Sequence, residues 1–467
     1  MNFQASENLN DPRVSIRKLR EYPEAGSDQG QVGRAIAGAA ADLGLADDSR
    51  GMFGGIVPRG ARVLVKPNLV LHRNEGPWGM DPLVTHPSII RSIVDGILQA
   101  DPAEVIVGDA PLQGCDFEHL LSETGLGDWA DRTARNDARF RGIRDFRRTT
   151  CVFVDGVRQA EENLQSEDRF ILFDLGSESL LEPISDREDR FRVTCYDPRL
   201  LARTHAPGRH QYLVAKEIIE ADVIFNLPKL KTHKKAGITC ALKNLIGING
   251  NKEYLPHHRI GGAGSGGDCY PDASIFKRAL EFTSDRQNMS TSRVMARFWH
   301  DVSRPFTKAL SISGDRLGIE GSWSGNDTIW RTCLDLNRIL LYGRVDGTMA
   351  DTPQRSVVHF ADAVIAGQGD GPLSPQPLPL GMIVAGRNAA AVDWVGSQLL
   401  QYDPLRIPIV RQAFTEFNWP VASFSPDRIT LSGDLGAGLA GKEGAHNVIH
   451  PLGWLDAAYV KPVSSGD

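Results

Sequence analysis

A chain of 467 residues is about three times a typical single-domain length, and its 41% hydrophobic and 24% charged residues are ordinary for a globular protein. With 52 Lys and Arg against 58 Asp and Glu, its net charge of −6 excludes the basic footprint of a general nucleic-acid binder. No apolar run approaches the roughly 18 residues of a membrane span, and MNFQASENLNDPRV has neither the basic nor the apolar region of a signal peptide, so a cytoplasmic α/β protein is expected.

Residues 1–60 read as a polar, loop-rich N-terminal extension with one helix over 31–43. The β-branched run ARVLVKPNLVL at 61–71 predicts a buried strand. Pro87 suits a first helical turn, and Ile89, Ile90, Ile93, Val94, Ile97 and Leu98 then share one face. Residues 104–107 read as a strand ending at Gly108 and Asp109, and 117–124 as a helix stopped by Gly125. Strand, helix, strand, helix at these lengths predicts βαβ units and a parallel sheet. Lys66, Asn68 and Asp109 fall at carboxyl ends of its strands, where such sheets open their binding crevice.

These elements define a first α/β lobe over 61–220, with a strongly charged peripheral elaboration at 131–190. A second lobe over 221–440 begins with the strand ADVIFN at 221–226. An insertion at 261–324 carries the loop GGAGSGGD and an amphipathic helical stretch over 293–310. Further strands are predicted at 339–342, 380–385 and 428–431, a helix at 389–400, and a C-terminal tail at 441–467. The expected class is α/β and two-lobed, with mainly parallel sheets flanked by helices and a helical, glycine-rich insertion.

Chemistry concentrates in KLKTHKKAGITCALKNLIGINGNKEYLPHH, residues 229–258. From Lys229 to Lys252 it holds six lysines and no acidic residue, a local reversal of sign. In an extended chain Lys229, Lys231 and His233 fall on one face, which suits a carboxylate or phosphate. The alternative is a solvated lysine loop, but the flanking Ile224, Phe225, Leu227 and Leu230 favour a cleft. A short helix is predicted over 238–246, with Thr239 and Lys243 on one side. Apolar neighbours lower a lysine's pKa and suit Lys243 to act as a base or a covalent attachment point; its bland reading is a snorkelling surface lysine.

His257, His258 and Asp268 are weaker candidates for a divalent metal, because their spacing matches no standard signature. Gly367, Gly369 and Gly371 allow close approach of a ligand and amide donors for an anion, although such a loop is often only a turn. Gly261 to Gly267 would form a lid. The charged residues Asp327, Arg331, Asp335, Asn337 and Arg338 read as salt-bridged helix faces or a substrate clamp. The six cysteines, at 115, 151, 195, 240, 269 and 333, show no C-x-x-C pair and read as buried small hydrophobes, with no iron–sulfur cluster of the usual kind.

Together, VKPNLV (65–70), THP (85–87), NLPKLKTH (226–233), ITCALKNLIG (238–247), ADAVIAGQGDGPLSP (361–375) and AAVDWVG (390–396) resemble, in order and spacing, the family of domain of unknown function 362. LPHHR, EGSWSGNDTIWR and LDLNRILLY are similar to its branch associated with bacterial surface-polysaccharide gene sets. That resemblance implies polysaccharide-pathway enzymes or a separate ferredoxin as partners. Many members append a ferredoxin-type cysteine cluster, which this chain lacks. A fainter similarity is to the lactate racemases, in which a lysine holds a nickel-pincer nucleotide and a histidine ligates the nickel; Lys243 with His257 or His258 is similar in kind.

The expectation is an enzyme acting on a small anionic or sugar-derived hydroxy compound, by isomerisation, epimerisation or redox at carbon. Its cofactor is unassigned, with a divalent metal or the pincer nucleotide as options. Lys66, Asn68, Asp109, Lys229, Lys231, Gly369 and Gly371 would bind substrate, His233 and Lys243 would carry catalysis, and His258 leads the metal candidates. The alternatives are a non-catalytic binder of anionic glycans or phosphates using the same lysines, and a redox partner of a ferredoxin.

Overall fold

A computed structural model describes residues 8–23, 30–154, 157–187, 189–272, 274–434 and 447–458. The alternating apolar runs assemble one sheet of eleven strands. In chain order these are β1 (Arg13–Lys18), β2 (Arg62–Pro67), β3 (Glu104–Asp109), β4 (Phe140–Asp145), β5 (Val223–Leu227), β6 (Lys229–His233), β7 (Gly237–Thr239), β8 (Ser356–Asp370), β9 (Ser374–Leu378), β10 (Met382–Gly386) and β11 (Thr430–Gly433). The main path runs β11-β1-β10-β8-β5-β2-β3-β4, and the central β8, β5, β2, β3 and β4 are parallel. β6 and β9 pair with the far half of β8, and β7 pairs with β6. This is the expected α/β class, a mainly parallel sheet flanked by helices. Strands from both sides of residue 221 interleave in it, since β5 lies between β2 and β8.

Period-two alternation sends side chains to two separate cores. Val63, Val65, Val105, Val107, Val223 and Phe225 face one layer, packed under α1 (Gly30–Asp42), α2 (Pro87–Gln99), α3 (Phe117–Glu123) and α4 (Leu126–Asn136). Leu64, Ile224, Val357 and Val384 face the other, beneath α5 (Ala241–Asn244), α8 (Ile329–Tyr342) and α9 (Ala389–Leu399). The insertion forms a hairpin of α6 (Ile275–Asn288) and α7 (Arg293–Ile312).

Several elements differ from the sequence reading. The N-terminal segment is not all loop, because β1 enters the sheet between β10 and β11. Residues 339–342 end helix α8 instead of forming a strand. Nearly every residue of α8 is buried, so it shows no polar face, and a short apolar run carries no periodicity that separates strand from helix. Residues 237–239 are strand, and the helix starts only at Ala241. Its entry is set from α9: the Asp393 carboxylate accepts from the Ala241 amide at 2.6 Å and the Leu242 amide at 3.3 Å. Only 447–458 of the expected tail fall within the described residues.

Candidate functional site

Beyond the carboxyl ends of β2 and β3, the chain opens a cleft of about 1390 Å³. Asn68, Asp109, Lys231, His233, Lys243, Lys252 and His257 all line it. The sequence-predicted Lys66 lies directly behind this wall, fully buried, with its ammonium 2.8 Å from Asp109 Oδ1. Lys66 also donates to the Pro67 carbonyl at 2.8 Å and to Asn244 Oδ1 at 3.2 Å, while Asp109 Oδ2 accepts from the Leu69 amide at 2.6 Å. Gly247 makes the pair possible. A Cβ there would lie 2.0 Å from Asp109 Oδ1 and 2.8 Å from Lys66 Nζ.

Lys229 is different. Its ammonium is 2.5 Å from Asp362 Oδ2 and donates to the Tyr22 hydroxyl at 2.8 Å, and Tyr22 in turn donates to Asp362 Oδ1 at 2.6 Å. The pairing of β6 with β8 shifts register between Lys229 and Lys231, and Lys229 does not line the cleft. Its place in the substrate-binding set is therefore corrected: it neutralises a buried carboxylate. Gly369 and Gly371 also depart from expectation. The Gly369 amide donates to the Ile449 carbonyl at 2.7 Å and the Gly371 amide to the Gly369 carbonyl at 2.8 Å, so the chain itself uses both donors. Gly371 lines the cleft and Gly369 does not. The glycines end a long strand; a Cβ on Gly367 would meet Lys231 Cβ at 2.6 Å, which explains the small residue there.

The metal candidates do not converge. Among the described residues no group of three or more His, Cys, Asp and Glu is arranged to hold a metal ion. Asp268 Oδ2 accepts from the Thr328 hydroxyl at 2.6 Å and the Asp327 amide at 3.1 Å, and Oδ1 accepts from the Arg259 amide. Those bonds tie the insertion to the start of α8. His258 is buried away from the cleft, and only His257 faces it, as adjacent residues of an extended chain point opposite ways. None of Gly261 to Asp268 lines the cleft, nor do Arg331, Asp335, Asn337 or Arg338; Asp335 instead binds Ser179, Tyr212 and Arg338 internally.

Lys231, Lys243 and Lys252 share the cleft with Asp109, whose carboxylate is paired with Lys66. Lys231 donates to the Leu83 carbonyl at 2.6 Å, and no hydrogen bond or ion pair engages the ammonium of Lys243 or Lys252 among the described residues. Burial pushes all three below the usual lysine range; for Lys231 the charges of Lys229 and Lys243 add to it, and Lys252 is brought down to about 8. Asn68 Oδ1 and Thr239 Oγ1, on residues that line the cleft, are buried without a partner. Native chains leave few such atoms, and here two of them lie on residues of a cleft whose Lys243 and Lys252 have no carboxylate partner.

Of the three histidines that line the cleft, His72, His233 and His257, the last two are held in opposite tautomers. His233 Nδ1 accepts from the amides of Lys235 at 3.0 Å and Ala236 at 3.1 Å, so its proton sits on Nε2. His257 Nδ1 lies 2.6 Å from the Leu255 carbonyl, which only accepts, so its lone pair sits on Nε2. Burial first, then the nearby lysines, hold both well below the ordinary histidine value, and both rings are neutral near pH 7. His233 and His257 thus offer one neutral donor and one neutral acceptor beside Lys231, Lys243 and Lys252. Lys252 and the tautomer of His257 escaped the sequence reading. The acid-free lysine run contained the signal for the first, whereas nothing local encodes the second.

Lys252 makes a pH prediction. Its folded value, near 8, lies below the ordinary 10.5, so the folded state holds fewer protons between these limits. Stability should therefore rise with pH, by about 2 kcal/mol from this group between pH 7.5 and 9.5. Urea unfolding of wild type and Lys252→Met at both pH values checks it. An identical pH slope in the two proteins would refute the assignment.

The model of the family described as domain of unknown function (DUF362) matches residues 63–169 and 186–398. A thylakoid-associated protein of Synechocystis sp. is 22% identical over 358 residues, covering 77% of this chain and 68% of that one. Among solved structures, a Thermotoga maritima protein matches at 12% identity and a TM-score of 0.35, over 82% of this chain and 60% of its own. The lactate racemase apoprotein of Thermoanaerobacterium thermosaccharolyticum matches at 11% identity and a TM-score of 0.31, over 85% of this chain and 58% of its own. The chain spans less than two thirds of the length of either structure.

Proposed function

The chain belongs to the family of domain of unknown function 362, and we propose that its cleft is the active site of an isomerase or epimerase acting on a small anionic hydroxy compound. The observation that carries this reading is the pair of neutral histidines in opposed tautomers beside three buried lysines without carboxylate partners. Lys231, Lys243 and Lys252 would hold a carboxylate or phosphate. His257 Nε2 would take a proton from carbon, and the His233 Nε2–H would donate to the oxygen on which negative charge develops.

Substrate binding itself would switch on the base. Lys235 and Lys243 are among the charges that depress His257. An anion laid among the lysines offsets their field and raises the basicity of His257 only when substrate is present. The Lys66–Asp109 pair would act as a wall, fixing the Gly247 turn.

Deuterium wash-in tests the proposal. Small hydroxy acids and sugar phosphates are incubated with the protein in heavy water, and carbon-bound deuterium is read by mass spectrometry. Wild type should incorporate deuterium into one class, His257→Gln should lose about 10² to 10⁴ of that rate, and His233→Gln should lose rate while retaining binding. Binding of anions with no exchange in any class would favour the second reading, a non-catalytic receptor for anionic glycans or phosphates using the same lysines.

A further inference from the structure

Helices α6 and α7 of the insertion carry an apolar surface that nothing among the described residues covers. Of the large hydrophobic side chains exposed among the described residues, seven lie between Ile275 and Ile312. Ile275 and Val294 are each 77% exposed and Ile312 is 78% exposed. On α7, Val294, Phe298, Pro305 and Ile312 follow each other at helical spacings of four, seven and seven, so they form one stripe. The opposite side of the helix carries its two buried residues, Ala296 and Leu310. Aromatic rings join the stripe to α6: Phe282 meets Trp299 at 5.8 Å, Trp299 meets Phe298 at 5.3 Å, and Arg286 sits 5.1 Å over Phe282.

The same helix reverses the charge of the chain. α7 contains Arg293, Arg297, Arg304 and Lys308 and a single acidic residue, Asp301, within a protein of net charge −6. Helical projection places Arg297, Arg304 and Lys308 along one border of the apolar stripe. An exposed aromatic and aliphatic stripe bordered by cations is the chemistry of a helix that lies in a bilayer interface, with apolar side chains among the acyl chains and cations at anionic headgroups. The alternative partner, a second copy of this chain, would bring four cations of one α7 against four of another.

We propose that the α6–α7 hairpin docks the protein peripherally on an anionic membrane surface. No helix is long and apolar enough to cross a membrane among the described residues, and this surface requires none. The contact is superficial, so the central sheet and its cleft stay in water. The proposal is independent of the reaction assigned to the cleft.

Co-sedimentation of the full chain with vesicles tests it, using pure phosphatidylcholine and phosphatidylcholine containing about one third phosphatidylglycerol. Binding should be confined to the anionic vesicles and weaken with salt, because interfacial attraction to anionic lipid is screened. Val294→Asp with Phe298→Asp should reduce it at least tenfold, and Arg304→Gln with Lys308→Gln by about fivefold per charge removed. All four positions except Lys308 and Arg304 are apolar and all are exposed, so unchanged thermal unfolding should accompany each loss. No binding to either vesicle, or equal binding to both, overturns the proposal. Concentration-dependent dimerisation abolished by Val294→Asp with Phe298→Asp, without vesicle binding, assigns the face to a second copy and overturns it too.

Discussion

Replacing Lys243 by methionine should make the protein more stable, by about 1–3 kcal/mol, while reducing phosphate affinity at least about 100-fold. The two effects share one cause. Lys243 has no hydrogen bond or ion pair among the described residues, and burial, foremost, lowers its pKa. An ammonium only 9% exposed and without a partner costs folding energy, and a methionine of similar length removes that cost. The same ammonium becomes favourable only when an anion enters, so affinity and stability move in opposite directions. Calorimetric titration with phosphate and urea unfolding read the two arms. A destabilised Lys243→Met would show that Lys243 has a structural partner, and one that binds phosphate normally would show that Lys243 does not hold the anion.

Arginine at the same position separates charge from chemistry. Arg keeps the charge, but its pKa above about 12 prevents it from acting as a base or forming an adduct readily. If Lys243 only binds an anion, Lys243→Arg should recover much of the phosphate affinity and of the deuterium exchange. If it also reacts, affinity returns and exchange does not. Lys231→Arg is the matched control, since its ammonium already donates to the Leu83 carbonyl and its expected role is charge alone.

Gly247→Ala should cost about 3–5 kcal/mol of stability, far more than an alanine normally costs a chain. The added Cβ would fall 2.0 Å from Asp109 Oδ1 and 3.0 Å from Lys66 Cε. The turn has little room to retreat, because the Gly247 carbonyl accepts from the Ala110 amide at 2.9 Å. The carboxylate must therefore leave Lys66, which strands two buried charges. Replacing the pair by Lys66→Met with Asp109→Leu should recover part of the loss, because apolar side chains need no partner. Urea unfolding of the four proteins in that cycle gives the coupling. A loss below about 1 kcal/mol for Gly247→Ala alone would mean that the Lys66–Asp109 contact is not rigid.

How far the sequence carried depends on whether a signal was local. The runs at 61–71, 87–98 and 221–226 were legible as strand, helix and strand because each needs only its own periodicity. The lysine run was legible as a concentration of cations for the same reason, and the matching segments pointed to the family to which the chain belongs. β8 was misread because its glycines satisfy a turn as well as they satisfy two crowded neighbouring strands, and only the second strand shows which applies.

The sequence alone determined the α/β class, the mainly parallel sheet and the concentration of cations between Lys229 and Lys252. Tertiary structure alone decided which of those cations find a carboxylate partner. Lys229 and Lys231 are two residues apart in one strand, yet Asp362 from β8 neutralises the first and a backbone carbonyl holds the second. It likewise set His233 and His257 in opposite tautomers, through amides two and three residues ahead of one and a carbonyl two behind the other. The physical reason is that charge and hydrophobic period are properties of residues, whereas neutralisation and proton position belong to contacts, which exist only once the chain has folded.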